Sequence, residues 1–369
     1  MTKCYVITRS FMENCYLDCF IEHYIKLNFT QIIILKSDNF DYIIPNQYYN
    51  KVKIYKVLNE GNKIYDNNKH LYKNLNGWFL FVDVDEFLVL NTKYNNNIIK
   101  FTDNIINLNK NVNIVFFRWA MIEKYNNNTN GINIQNIVKN YYKFKNSHIK
   151  SMVKSDVLVN MQSPHCPHIN INPLIYFENN FITNNNPKHN INNKSYLDCY
   201  LLHIHSRSLI NIVTKSLNSY ENMCKKQISN KNDFIKYINE NKFLESKNLL
   251  NDFKNLIGTK AKLPFAHSNN NFINIKFPSI NHDKTLINLE MENNMLKWYC
   301  KQNSINYDNI CNYFKLLNTY GNHLFKNSNF NWEKYLNNYV DLKDKLKYNR
   351  ESALKHYLES GISEKRKYT

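Results

Sequence analysis

The chain has no run of about 18 uninterrupted apolar residues, so it offers no candidate for a membrane-spanning helix. Its opening, Met1-Thr2-Lys3-Cys4-Tyr5-Val6-Ile7-Thr8-Arg9, has too short an apolar core between Lys3 and Arg9 for a signal peptide. A cytoplasmic setting is therefore expected, with these residues forming the first strand of a folded domain. There are eight cysteines but no Cys-x-x-Cys, which argues for reduced thiols and against a disulfide framework. His165-Cys166-Pro167-His168 could imitate half of a zinc site, yet no matching pair with finger spacing follows. A Walker Gly-x-x-x-x-Gly-Lys loop is absent, and so is any zinc-finger or RNP1-like motif.

Arginine is also scarce, occurring only at positions 9, 118, 207, 350 and 366. The net charge of +18 is thus almost entirely lysine. Nucleic-acid readers favour arginine for bidentate phosphate and guanine contacts, so this charge is weak support for that class. Abundant asparagine, lysine, isoleucine and tyrosine, with little glycine and proline, fit A/T-rich codon usage. The basicity is read as background with a modest attraction for anionic ligands.

At 369 residues the chain can bury a full core. Tyr5 to Thr8, Gln31 to Leu35 and Val52 to Val57 read as strands, and the spacing of Tyr16, Leu17, Phe20, Ile21, Tyr24, Ile25 and Leu27 predicts a helix between the first two. A helical stretch around Lys69 to Leu75 leads to the apolar run Gly77 to Val82. Val112 to Trp119 reads as a further strand, Ser163 to His168 as a loop, and Glu178 to Asn193 as an asparagine-rich mobile tract. Tyr200 to Ser206 reads as a strand entering a helix, and residues 220–300 as largely helical. The alternation predicts an α/β fold with a mostly parallel central sheet and ligands at the carboxyl ends of its strands. Thr8-Arg9, Asp38 and Asp83 to Asp85 all fall at such ends.

The run Phe81-Val82-Asp83-Val84-Asp85-Glu86-Phe87 is the most informative segment. Carboxylates at the end of a buried strand are costly unless a cation or donors compensate them. In a regular strand Asp83 and Asp85 would share one face, and two such oxygens suit Mg²⁺ or Mn²⁺ with diphosphate and water completing the shell.

Several segments in order resemble family 2-like glycosyltransferases, including the family 92 relatives. They are Glu13-Asn14 with Tyr16-Leu17, Glu22-His23-Tyr24 to Phe29, Ser37-Asp38-Asn39, Asp83-Val84-Asp85-Glu86-Phe87, Lys150 to Lys154 with His165, and His203-Ile204-His205-Ser206 with Lys215. The likeness covers roughly residues 1–225. Two departures are the Arg-Ser-Phe-Met-Glu-Asn turn at 9–14 and Asn126 to Gly131, which stands where relatives carry a glycine-rich segment. A second likeness, through Trp332, Tyr335-Leu336, Asp341-Leu342, His356-Tyr357 and Gly361, is to a small helical module on glycosyltransferases of large DNA viruses and some bacteria. The division expected is a catalytic domain over 1–225, a helical extension over 226–327 and a small helical module over 328–369.

The resemblance implies a GT-A nucleotide-sugar-binding sandwich with a helical C-terminal region. It also implies transfer from a nucleotide-sugar donor, UDP-linked, to a saccharide or glycoprotein acceptor. It implies Mn²⁺ or Mg²⁺ on Asp83, Asp85 and His203, with His205 competing for the last place. Thr8, Arg9, Asp38, Asp83, His203 and Lys215 would meet the donor, and Asp83, Asp85 and Glu86 would be the catalytic acids. Glu86 and Glu123 are the nominees for a base in an inverting reaction. For a viral member the setting would be host cytoplasm. Two other classes compete: a metal-dependent nucleotidyl- or phosphotransferase, and a basic nucleic-acid-binding protein.

Overall fold

A computed structural model of the protein describes residues 2–123, 142–163, 165–177, 179–183, 199–204, 228–245, 289–313 and 331–346, with isolated positions beyond. The strands and helices run β1 (Cys4–Ser10), α1 (Asn14–Lys26), β2 (Gln31–Lys36), β3 (Val52–Lys56), α2 (Ile64–Asn67), β4 (Trp78–Asp83), β5 (Glu86–Leu90) and α3 (Ile98–Leu108). They continue with β6 (Ile114–Glu123), β7 (Tyr142–Lys154), β8 (Leu158–Ser163), β9 (Cys166–Ile169), β10 (Ile175–Phe177), β11 (Asn180–Ile182) and β12 (Cys199–Ile204). Further helices follow, among them α4 (Ile228–Asn239), α5 (Leu289–Gln302), α6 (Trp332–Asn338) and α7 (Val340–Lys345).

The main sheet has the order β11-β10-β6-β7-β4-β1-β2-β3, and β12 links β6 to β5. β3, β2, β1 and β4 are parallel neighbours. The chain moves outward from β1 to β3 and then returns across β1 to lay down β4. Strand order therefore reverses between β1 and β4, the position where open α/β sheets form a crevice at their carboxyl ends. β7 runs antiparallel between β4 and β6, which makes the sheet mixed beyond its parallel block.

Both faces of β1, β2 and β4 are buried, which explains their continuous apolar runs, while the edge strand β3 exposes Lys53 and Lys56. Cys4, Val6, Ile32, Ile34, Leu80 and Val82 share one core with Leu17, Phe20 and Tyr24 of α1 and Ile98, Phe101 and Ile105 of α3. Their sequence neighbours Tyr5, Ile7, Ile33, Leu35, Phe79 and Phe81 point the other way, against Ile64, Tyr65 and Tyr72. Each large side chain so buried contributes roughly 1.5–3 kcal/mol. Tyr65 meets Phe81 edge-on at 5.3 Å and Tyr72 meets Phe79 at 5.7 Å, so tyrosines supply much of this second core.

Asparagine takes over work that glycine usually does. Asn28, Asn95, Asn96, Asn179 and Asn241 hold positive φ, a conformation asparagine tolerates better than most residues. Gly77 is different. Its φ is +153°, and a Cβ there would lie 2.4 Å from the Lys3 carbonyl oxygen.

The described residues divide into two compact units. One is drawn from Met1–Glu123, Asn130–His205 and Asn270–Met295, the other from Lys124–Thr129, Ser206–Asn269 and Leu296–Thr369. Within the second, Tyr335, Leu336, Leu342, Ala353 and Tyr357 form a small core. Arg366 grips both Asp341 oxygens, at 3.2 and 3.1 Å, across the ring of Tyr339. No helix among the described residues is long and apolar enough to cross a membrane.

Three local expectations need correction. Cys166–Ile169 is a strand paired with β8, not part of a loop, because main-chain pairing accommodates its prolyl residue at the hairpin edge. Asn180–Ile182 forms an edge strand on β10 within the asparagine-rich tract. The helical stretch at Lys69 to Leu75 shrinks to a single turn, Lys69–Leu71.

Candidate active site

The register of the parallel block sets Arg9 of β1 directly beside Asp83 of β4. β4 then stops. Val84 and Asp85 make a two-residue reversal into β5, and Val84 plugs the core with no exposure. Asp83 and Asp85 consequently do not lie on one regular strand; the turn re-aims the second acid. β5 pairs antiparallel with β12, which places Glu86 opposite His203.

This assembly brings Asp85, Glu86 and His203 together, all buried, each offering one ligand atom within 4.8 Å of the others. His203 Nε2 is 3.5 Å from Asp85 Oδ2, and the His203 ring lies 4.4 Å from that of Trp119. Two carboxylates and an imidazole form a donor set suited to a divalent ion. Glu86 Oε1 supports that fit, being buried without a hydrogen-bond partner among the described residues, an arrangement that costs free energy unless something occupies it.

Asp83 is engaged differently. Its Oδ1 accepts from Arg9 Nε at 2.9 Å and its Oδ2 from Lys150 Nζ at 2.8 Å. Its main-chain N–H donates to Glu86 Oε2 at 2.9 Å, and Lys150 Nζ is 3.2 Å from that same oxygen. Burial alone would raise the Asp83 pKa, but the charges of Lys150 and Arg9 outweigh it and hold this carboxyl well below the usual range. Burial dominates at Glu86 and pushes its pKa up to about 8; Lys150 opposes the shift while Asp83 and Asp85 add to it. Lys150 stays above the ordinary lysine value despite burial, because Asp83 and Glu86 favour its charged form. Asp83 likewise raises the pKa of Arg9.

Helix α1 braces the acidic turn from behind. Tyr24 Oη donates to the Glu86 carbonyl at 2.9 Å, and His23 Nε2 is 2.9 Å from the Leu88 carbonyl. The opposite face adds Tyr65, whose hydroxyl donates to the Val82 carbonyl at 3.3 Å.

Of the residues singled out from the sequence, Arg9, Asp83, Asp85, Glu86 and His203 converge here. Thr8 is fully buried, its hydroxyl donating to the Arg9 carbonyl at 3.3 Å. Asp38 accepts from the Met12 and Phe40 amides at 2.7 and 2.9 Å and pairs with the buried Lys36 ammonium. That carboxylate ties down the loop after β1, where Met12 carries a φ of 57°. Glu123 closes β6 with a side chain outside the described residues, and His205 and Lys215 also lie outside them.

Sequence reasoning passed over Trp119 and gave Lys150 no role of its own. Trp119 gathers three imidazoles: His148 stacks on it at 5.0 Å and His165 meets it at 5.3 Å, with His203 nearer than either. His165 Nδ1 is 2.7 Å from the Ile149 carbonyl, and burial lowers its pKa to about 4. Nothing in so lysine-rich a chain marks Lys150 as buried; only its pairing with Phe117 across β6 and β7 does so.

Neither a protein-family model nor a curated protein matches this chain. Among solved structures, it is similar to CMP:2-keto-3-deoxy-manno-octonic acid synthetase complexed with CTP, at 10% identity and a TM-score of 0.24, covering 42% of this chain and 75% of that one. It is also similar to a protein assigned as a glucose-1-phosphate thymidylyltransferase from Bacillus anthracis, in complex with a sucrose, at 9% identity and a TM-score of 0.24, covering 42% and 72%.

Proposed function

We propose that this protein is a metal-dependent glycosyltransferase of GT-A type, moving a sugar from a UDP-linked or related nucleotide donor to a saccharide or glycoprotein acceptor. The observation that carries the reading is the buried Asp85, Glu86 and His203 donor set at the carboxyl end of β4, beside the strand-order reversal. That location is where α/β sheets take nucleotides, and an oxygen-rich set with one imidazole suits Mn²⁺ or Mg²⁺.

Asp85, Glu86 and His203 would hold the ion, and Asp83 would act from beside them by fixing Arg9 and Lys150. When bound, the ion supplies Lewis-acid stabilisation of the diphosphate leaving group. Arg9, about one-third exposed, keeps a fixed positive charge at the crevice for that anion. Thr8 and Asp38 shape the loop that would border the nucleoside, and Lys215 and His205 remain candidates for the diphosphate. If configuration inverts, a carboxylate must accept the acceptor's proton, with Glu86 and Glu123 the nominees.

Paired carboxylates with a metal also serve nucleotidyl transfer, so the products must separate the two readings. The test is thermal stabilisation by UDP with Mn²⁺, compared with ATP and with oligonucleotides, followed by a donor screen. Release of nucleoside diphosphate from a nucleotide-sugar supports the glycosyltransferase. Pyrophosphate release from a nucleoside triphosphate with a sugar phosphate supports the nucleotidyltransferase. Stabilisation by oligonucleotides alone would sink both.

A further inference from the structure

β7 carries Lys150 into the interior. Lys150 is fully buried, with its ammonium 2.8 Å from Asp83 Oδ2 and 3.2 Å from Glu86 Oε2 and 5.7 Å from the Trp119 ring centre. An ammonium in such surroundings persists only with close anionic partners. Its two partners lie on either side of the β4–β5 reversal, so one side chain from a third strand ties both ends of the acidic turn.

The effect on Glu86 is specific to each oxygen. Oε2 receives the Asp83 N–H at 2.9 Å and faces Lys150, while Oε1 has no hydrogen-bond partner among the described residues. A glutamate held only by a metal could exchange its oxygens or bind through both. Here the amide and the ammonium both engage Oε2 and leave Oε1 as the oxygen available for coordination.

We propose that Lys150 is a positioning residue of the active site, locking Asp83 and Glu86 into one arrangement so that Glu86 presents Oε1 beside Asp85 and His203. The proposal rests on the metal-dependent reading above. It assigns Lys150 no contact with substrate, in keeping with its complete burial. A lysine serving only as a counter-charge for the fold would affect stability and leave coordination unchanged.

The test compares wild type with Lys150→Met and Lys150→Arg in the full-length chain. The measurements are the electron paramagnetic resonance spectrum of bound Mn²⁺, kcat for donor hydrolysis at saturating donor, and the thermal midpoint. For Lys150→Met the expected result is an altered Mn²⁺ spectrum, with kcat lower by about 100-fold, the scale of a misplacement near 1 Å. Lys150→Arg keeps the charge and should recover part of both. A folded Lys150→Met with the wild-type spectrum and kcat, whatever its thermal midpoint, overturns the proposal. Should that variant fail to fold, Lys150→Gln retains a donor for Asp83 and is judged by the same two readouts. A wild-type protein that takes up no Mn²⁺ fails at an earlier step and removes the metal-dependent reading itself, and this proposal with it.

Discussion

Tyr24 on α1 donates its hydroxyl to the main-chain carbonyl of Glu86 on β5, 2.9 Å away, with both residues fully buried. A helix thus holds the strand that carries the third acid. Tyr24→Phe keeps the ring and its packing but removes a hydrogen bond to a buried carbonyl, a cost of about 0.5–1.5 kcal/mol. We expect a lower urea midpoint with unchanged slope, and a modest fall in kcat from a loosened Glu86. An unchanged midpoint would mean that the hydroxyl adds nothing.

Asp85→Ala should abolish metal-dependent turnover with the fold preserved, since it deletes a ligand and relieves repulsion among neighbouring acids. The expected loss is about 3 kcal/mol or more of transition-state stabilisation. His203→Ala should weaken Mn²⁺ binding by calorimetry at least tenfold, roughly the scale seen for lesser perturbations of metal sites. Near-normal Mn²⁺ affinity in both variants would remove the donor set as a metal centre.

The titration of Glu86 gives the metal-free protein a pH signature. Its folded pKa, raised to about 8, exceeds its unfolded value, so the folded state binds the extra proton between those two values. Stability therefore declines as pH rises through that window, by an amount on the order of a few kcal/mol. Lys150, Asp83 and Asp85 face this group and set the size of the effect. Asp83 acts oppositely and in acid: its lowered pKa adds stability above the unfolded aspartate value, and that stability is lost as pH falls. Chelator-treated Glu86→Gln should lose less stability than wild type between pH 5 and about 8 in thermal melts; parallel profiles would contradict the assignment.

Gly77→Ala is expected to destabilise without touching the site. Its Cβ would sit 2.4 Å from the Lys3 carbonyl oxygen, main chain that cannot swing aside. The φ of +153° adds strain for any L side chain. A loss of about 1–3 kcal/mol in denaturant unfolding is the scale for such a position. Wild-type stability would show that β1 and β4 can separate locally at no cost.

Removing residues 328–369 should leave a protein that UDP and Mn²⁺ still stabilise. Tyr335, Leu336, Leu342, Ala353 and Tyr357 form a core of their own, and Asn331 caps α6 by accepting from the Lys334 amide at 2.9 Å. Reduced transfer to a natural acceptor with intact donor binding would point to an acceptor-positioning role for this module. An insoluble or UDP-blind truncation would show that it belongs to the catalytic unit.

The parallel block was legible because strands buried on both faces leave unbroken apolar runs, as at Ile32 to Leu35 and Phe79 to Val82. The helix before β2 was equally plain from the spacing of Leu17, Phe20, Ile21 and Tyr24. Strand ends follow from such runs, which is why Arg9, Asp83 and Asp85 could be named in advance. The reversal at Val84-Asp85 was not legible, since Val84 reads as one more strand residue and no glycine or proline marks the turn. Lys150 and Trp119 depend on pairings of β7 and β12 with β6, contacts between residues far apart in the chain. Local pattern carries no trace of them, and Lys150 is hidden further by the many solvated lysines around it.

The two-residue reversal between β4 and β5 also bears on how such a chain can diverge. Side chains alternate faces along β5, so a one-residue slip of its pairing with β12 would turn Glu86 away from His203 and shift Phe87 out of its slot. Elsewhere, length changes can be absorbed by surface loops, as between β2 and β3. Between Asp83 and Glu86 the bond from the Asp83 amide to Glu86 Oε2 fixes the count, Val84 fills the core and Asp85 joins the donor set, so descendants with a changed count there would have to build their acidic cluster from other positions.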